Sequence, residues 1–206
     1  MPHHFPIARR PCPVRLGPRL RFAAALLLGA ALVPHAAPAS VVRALTLREL
    51  VEASAIVVLA QVETATSSWV DGRIVTDAVL VVDEGLAGAE TEQRVTVRTL
   101  GGEVDGIGQR VSGEPWLRAG ERYLVFLEPL PARSGDASLR YRPIGMSQGA
   151  LPVTEAADGP RVGPNPELPA LVVPGRAMSV APWLDASRPL DDVLAEVRAA
   201  VRDAAP

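Results

Sequence analysis

The sequence predicts a mainly β protein: a small antiparallel β-barrel with a short helix near its N-terminal end and an amphipathic helix at its C-terminal end. Three observations lead there. Residues 40–114 contain no proline whereas residues 115–206 contain 13, and proline cannot donate to a strand ladder, so the proline-free block is where central strands can run. Short β-branched or alternating segments follow one another there and just beyond at hairpin spacing, the pattern of a sheet that curls on itself. Helical periodicity appears only at the two ends of this region.

The first 39 residues stand apart from that domain. Met1 to Arg21 holds five arginines and no acid, Phe22 to Val33 is an apolar run of 12, and Ala37-Pro38-Ala39 puts small residues at −3 and −1 of a cleavage site before Ser40. These parts in this order read as a signal peptide cleaved after Ala39, with the mature chain periplasmic or extracellular. Twelve residues span about 18 Å as a helix, short of a bilayer core of roughly 30 Å, so no transmembrane segment is expected. Arg9-Arg10 is followed by Pro-Cys-Pro, which points to the general export route, and no cysteine follows the apolar run to take a lipid.

Removing this segment changes the chemistry of what remains. The formal charge of the whole chain is −2; without residues 1–39, 16 arginines face 23 acids, a formal −7. A modestly acidic surface disfavours nucleic acid as a partner. Cys12 is the only cysteine, His3, His4 and His35 are the only histidines, and the chain has no lysine. The mature chain therefore lacks the usual zinc ligands, a histidine base and a Schiff-base amine, and no cofactor is expected. No Gly-rich phosphate loop occurs either.

The domain, residues 40–155, opens with Thr46 and Glu49 spaced as a capping box, and Leu47, Leu50 and Val51 predict a helix over 47–53. Ala55 to Ala60 is a β-branched run continued by alternation to Ser67, and Asp71-Gly72 is a hairpin signal before the returning strand from Arg73 to Asp83. Gly85 and Gly88 are expected to bracket the next turn. Arg94 to Thr99 alternates, with Val95 and Val97 inward. Gly101 to Pro115 holds five glycines and reads as a loop or a small hairpin turning at Asp105-Gly106. Arg122 to Glu128 is the most apolar strand and contains Phe126; Leu139 to Ile144 alternates, and Gly149 to Thr154 and Pro160 to Gly163 follow around a turn near Asp158-Gly159. Residues 156–186 are read as a Pro-rich extended connector on the surface. Residues 187–206 form the terminal helix, with Ser187 as candidate cap, Pro189 in its first turn and Leu190, Val193, Leu194, Val197 and Val201 as one stripe. That stripe packs on the barrel or, alternatively, on a partner.

Gly145-Met-Ser147-Gln-Gly149 matches the G-x-S-x-G nucleophile elbow, but Ser147 has no base to take its proton and leads into Ala-Leu-Pro, not a helix. Glu103 with Asp105, or Asp83 with Glu84, are the acids available for paired-carboxylate work, and Glu103, Asp105 and loop carbonyls for a weak Ca²⁺ site. Their simpler reading is as turn and loop acids. Trp69 precedes the first hairpin tip, and Trp116 and Trp183 fall in loops; each is either a recognition anchor or a packed ring.

The segments VRALTLRELVEASAIVVLAQV, SSWVDGRIVTDAVLVVDEGLAG, VTVRTLGGEVDGIGQRVSGEPWLRAGERYLVFL and YRPIGMSQGALPV resemble a group of exported bacterial proteins of uncharacterised function, over residues 41–153. The order of strands, with Ala119-Gly-Glu-Arg-Tyr-Leu-Val125, is also similar to the netrin-like modules of tissue metalloproteinase inhibitors, which implies an OB-type five-stranded barrel. Those modules' inhibitory cysteine and disulfides have no counterpart here, so the likeness reaches the architecture alone.

The function these readings support is a secreted or periplasmic, non-catalytic module that binds a protein or an envelope polymer. The expected contact residues are Trp69, Asp71, Arg73, Glu103, Asp105 and Trp116, on loops of a rigid frame. A carboxylate-dependent glycan hydrolase built on acids of the 101–115 loop, or a structural envelope protein, are the alternatives.

Overall fold

The computed structural model describes residues 41–131, 138–168, 170–173, 176–178, 184 and 186–204, with the backbone alone for 41, 170–173 and 176–178. Residues 1–39, read above as a signal peptide, and Trp183 lie outside the described residues. Residues 38–206 form one compact unit, mainly β, with two α-helices, one near each end of that unit.

Helix α1 (Leu47–Ala53) starts where the capping box places it: the Glu49 amide donates to Thr46 Oγ1 at 3.2 Å and the Thr46 amide to Glu49 Oε2 at 2.8 Å. It buries Leu50 and Val51. Strands β2 (Ile56–Val70) and β3 (Arg73–Ala87) form a hairpin of 15 residues each way. Its two-residue turn has Asp71 at φ 50° and Gly72 at φ 73°, the mirror-image turn whose twist suits a hairpin and which Asp-Gly adopts readily.

After β3 come β4 (Arg94–Leu100), the small hairpin β5 (Gly102–Val104) and β6 (Ile107–Gln109), β7 (Arg122–Pro129), β8 (Tyr141–Pro143), β9 (Ala150–Ala156) and β10 (Gly159–Val162). The main sheet runs β10-β9-β7-β2-β3-β4-β8, extended beyond β10 by β13 (Arg188–Pro189). β8 pairs with β4 through Val97 and Tyr141 and also with β7, so the run β7-β2-β3-β4-β8 returns to β7. This closure depends on a three-residue strand.

The apolar run 56–60 is explained by burial on both faces of β2. Ile56, Val58, Ala60 and Val62 pack with Leu80, Val95, Val97, Val125 and Leu127 on one face of the sheet. Val57 and Leu59 pack with Leu124, Phe126, Leu50 and the terminal helix α2 (Leu190–Ala204) on the other face. A strand covered on both sides reads as a continuous hydrophobic run.

Several sequence expectations change. Gly85 lies within β3, opposite Val58, and the chain turns only after Gly88, which has φ 71°. A Cβ on Gly88 would stand 1.9 Å from the Ala55 carbonyl oxygen, so close backbone approach, as well as the turn, requires glycine there. Leu139 is exposed and β8 starts at Tyr141. Residues 156–186 are more than a surface connector. They supply β10, β11 (Ala170–Val173), which runs parallel to β1 (Val41–Arg43), and β12 (Arg176–Met178), and they bury Asn165 and Leu184. The prolines hide these short pieces, and the β1–β11 pairing joins segments too far apart to show as local periodicity. Ser187 does not cap α2: its Oγ and carbonyl accept from Arg161 at 3.3 and 2.9 Å while Arg188–Pro189 pair with β10. The helix begins at Leu190, and its stripe Leu190, Val193, Leu194 and Val197 is buried on its own domain. Asp191 and Asp192 lie in its first turn and Arg202 in its last, matching the helix dipole.

Candidate functional site

The serine motif is structural. Gly145 and Met146 enter with φ 61° and 62°, residues Met146–Gly149 make one 3-10 turn, and β9 follows without a helix. Ser147 is fully buried, and its Oγ meets no hydrogen-bond partner among the described residues, while its amide donates to the Gly113 carbonyl at 2.9 Å. Gln148, also buried, accepts from the Leu45 amide at 2.9 Å and donates to the Arg43 carbonyl at 3.1 Å, tying the N-terminal segment to the core. A Cβ on Gly149 would lie 2.4 Å from the Ile144 carbonyl oxygen. Gly145 is thus explained by its left-handed backbone and Gly149 by close backbone packing. Since an unmet buried hydroxyl costs free energy, Ser147→Ala is expected to hold or raise stability, by up to about 1 kcal/mol, as read from the urea midpoint.

The predicted contact residues are distributed along one arm and its neighbours. Beyond residue 62 β2 leaves β7 and continues paired with β3, which keeps β4 on its other side as far as Val75 opposite Leu100, so the hairpin runs on as an arm whose β2 edge is open; the β5–β6 hairpin, turning at Asp105 (φ 52°) and Gly106 (φ 77°), is bonded to it. Ser67 Oγ and Thr76 Oγ1 meet at 2.9 Å, Thr76 Oγ1 donates to the Gly101 carbonyl at 2.7 Å, the Ile74 amide donates to Gln109 Oε1 at 2.8 Å, and the Glu103 amide reaches Ser67 Oγ at 3.4 Å. A Cβ on Gly102 would strike both hydroxyls. Trp69, Asp71 and Arg73 at the arm's tip and Glu103 and Asp105 on the small hairpin therefore belong to one bonded assembly. Trp69 is 49% exposed.

Trp116 lies nearer the root of the small hairpin. It is 45% exposed, with the guanidinium carbons of Arg110 and Arg118 over its ring at 5.4 and 5.7 Å, a cation–π arrangement that holds the indole in place. Its carbonyl accepts from the Tyr123 hydroxyl at 3.0 Å. A groove of about 530 Å³ beside it is bounded by Tyr123, Pro152, Thr154, Glu155 and Pro166.

A second groove, about 420 Å³, opens on the opposite face of the arm from the small hairpin, since its lining residues Arg73 and Val75 alternate along β3 with Ile74 and Thr76. Asp71, Leu100, Leu139 and Arg140 complete its wall. Sequence reasoning missed the charge cluster at its base. Arg98 grips Asp77 through two bonds of 2.6 and 2.7 Å, and Arg140 adds a third at 3.2 Å. Burial opposes ionisation of Asp77, but the two guanidinium groups outweigh it and hold the carboxyl below its usual range. The signal was the cross-strand register of Asp77 and Arg98, which appears only once β3 and β4 are aligned.

The acids considered for catalysis do not converge. Asp83 bonds Arg122 at 2.9 Å while its neighbour Glu84 bonds Arg198 at 2.5 Å on α2. Glu103 and Asp105 are both exposed. The loop acid with a perturbed environment is Glu114, which sequence reasoning did not single out: burial pushes its carboxyl up, against the Leu100 amide it accepts from at 3.2 Å. It lines a cavity of about 20 Å³ with Thr76, Gln109 and Trp116, room for one water. Among the described residues no three acids, histidines or cysteines gather as a metal site would require, and no helix is long and apolar enough to cross a membrane. Comparison of the chain with protein-family models, curated proteins and solved structures returns no match.

Proposed function

We propose that this chain is an exported, non-catalytic binding module whose frame is a small OB-type β-barrel, and that it engages a protein or an envelope polymer through the tip of the β2–β3 arm. The observation that carries the reading is Trp69: a half-exposed indole at the end of an arm held by four side-chain hydrogen bonds. A large aromatic presented on a stiff support offers contact area at little entropic cost, which is how binding anchors are built. The return of pairing from β8 to β7 supports the barrel, and the charged, apolar and small-residue parts of residues 1–39 support export.

Glu114 is the observation that favours a glycan hydrolase, since a general acid needs a raised carboxyl. The space beside it, about 20 Å³, is room for a water and not for a sugar ring, which supports the binding reading over this one. The test is capture from the native exported fraction by the wild-type protein and by a Trp69→Ala, Trp116→Ala double variant. The expected result is a protein or glycan retained by the wild type and lost, by tenfold or more in affinity for two anchors worth about 1–2 kcal/mol each, from the variant. Equal retention by both sinks the placement.

A further inference from the structure

We propose that the free edge of β2 from Thr64 to Val70 is a self-association surface, on which a second copy of this chain lays its own β2 edge antiparallel. β2 pairs with β3 as far as Val70, but with β7 only from Ile56 to Gln61. The last bonds on that side are those of Val62, whose amide donates to the Glu121 carbonyl at 2.9 Å and whose carbonyl accepts from Gly120 at 2.8 Å. Beyond it, no strand among the described residues covers the edge.

The direction of the peptide groups follows from the turn. Val70 and Arg73 close it, and the closing pair of a two-residue hairpin exchanges hydrogen bonds. Ile74 comes next, and its peptide groups point away from β2: its amide donates to Gln109, and its carbonyl accepts from Gly101 at 2.8 Å. Trp69, opposite Ile74, therefore faces away from β3, and Ser67 and Ala65 do the same by alternation. Three amides and three carbonyls stand in a row, spaced as a strand requires.

Proteins ordinarily blunt such an edge with Pro, Lys or shortness. The opposite margin of this sheet does so: β13 is two residues long and contains Pro189. The segment Thr-Ala-Thr-Ser-Ser-Trp-Val from 64 to 70 carries no proline and no charge. In a chain with a formal −7 outside residues 1–39, an uncharged strip is where a like-charged second copy meets least repulsion. Glu63 and Asp71 bound the strip, so pairing centred on Ser67 ends before those two acids face each other. Such pairing uses peptide groups alone and leaves the Trp69 side chain on the sheet face, so it does not depend on the tip binding a ligand.

Sedimentation velocity of the purified protein, with amide exchange at low and high concentration, tests this. The expected result is a monomer–dimer equilibrium in which exchange at Ala65, Ser67 and Trp69 slows as concentration rises. Ala65→Pro removes an amide that β3 does not use, at an edge position where proline is tolerated, and is expected to weaken the dimer about tenfold or more with unchanged circular dichroism. A monomer at every concentration overturns the proposal, as does a dimer whose three amides stay unprotected. Protection that appears only when a different protein is added also overturns it, giving the edge to a foreign strand. The exchange readout on the wild type decides the matter even if Ala65→Pro fails to fold.

Discussion

Phe126→Ala is expected to lower the free energy of unfolding by about 4 kcal/mol, the middle of the range for truncating a buried aromatic. Phe126 is fully buried near the middle of β7 and is the largest of the fully buried side chains among the described residues. It belongs to the cluster that joins Val57 and Leu59 of β2, Leu50 of α1 and Leu190, Val193 and Leu194 of α2. Removing the ring opens a cavity where the sheet meets both helices, and residues 40–206 contain no other phenylalanine. The backbone there is also committed, since the Phe126 carbonyl accepts from the Ile144 amide at 2.9 Å and leads into the serine turn. Urea unfolding monitored by circular dichroism measures the loss; a drop below about 1 kcal/mol would mean the helices close over the gap.

Asp77→Ala is expected to cost about 2 kcal/mol at neutral pH, less than the 3–5 of a fully buried pair because the Arg98 and Asp77 side chains remain 16% and 26% exposed. The alanine leaves Arg98 half-sunk in the sheet without the carboxylate that meets it in two bonds. The dependence on pH has a definite sign. Asp77 in the folded protein ionises below its usual range, so its contribution is complete above the unfolded carboxyl's pKa, about 4, and is lost as pH falls through the folded value. The stability gap between wild type and variant is therefore flat from pH 7 to about 5 and narrows below about 4, as a urea titration series would show. Because Asp77 and Arg98 sit under the 420 Å³ groove, the variant also reports on whether that groove takes part in binding.

Much of the frame was readable along the chain because its determinants are local. Thr46 and Glu49 set the start of α1, Asp71-Gly72 set the β2–β3 turn, and Val95 and Val97 set the inward face of β4. Ser187 misled because a good capping residue near a helix start is also a good acceptor, and Arg161 from β10 takes it. Gly85 misled because turns and close backbone approaches ask for the same residue. The contact residues were partly readable: Trp69, Asp71 and Arg73 follow from the hairpin signal. Their union with Glu103 and Asp105 depends on bonds from Ser67, Thr76 and Gln109 that carry no motif.

By itself the sequence determined the element types, the hairpin and the chemistry missing from residues 40–206, because hydrophobic period, turn residues and composition act over a few residues at a time. Only the tertiary structure decided which acids are isolated and which are gripped, that Ser147 is sealed in the core, and that the β2 edge is left bare beyond Val62. Those outcomes depend on strand register and on where a neighbouring strand ends. Both are set by packing between segments tens of residues apart, where each contact answers to the whole fold and not to its own stretch of chain.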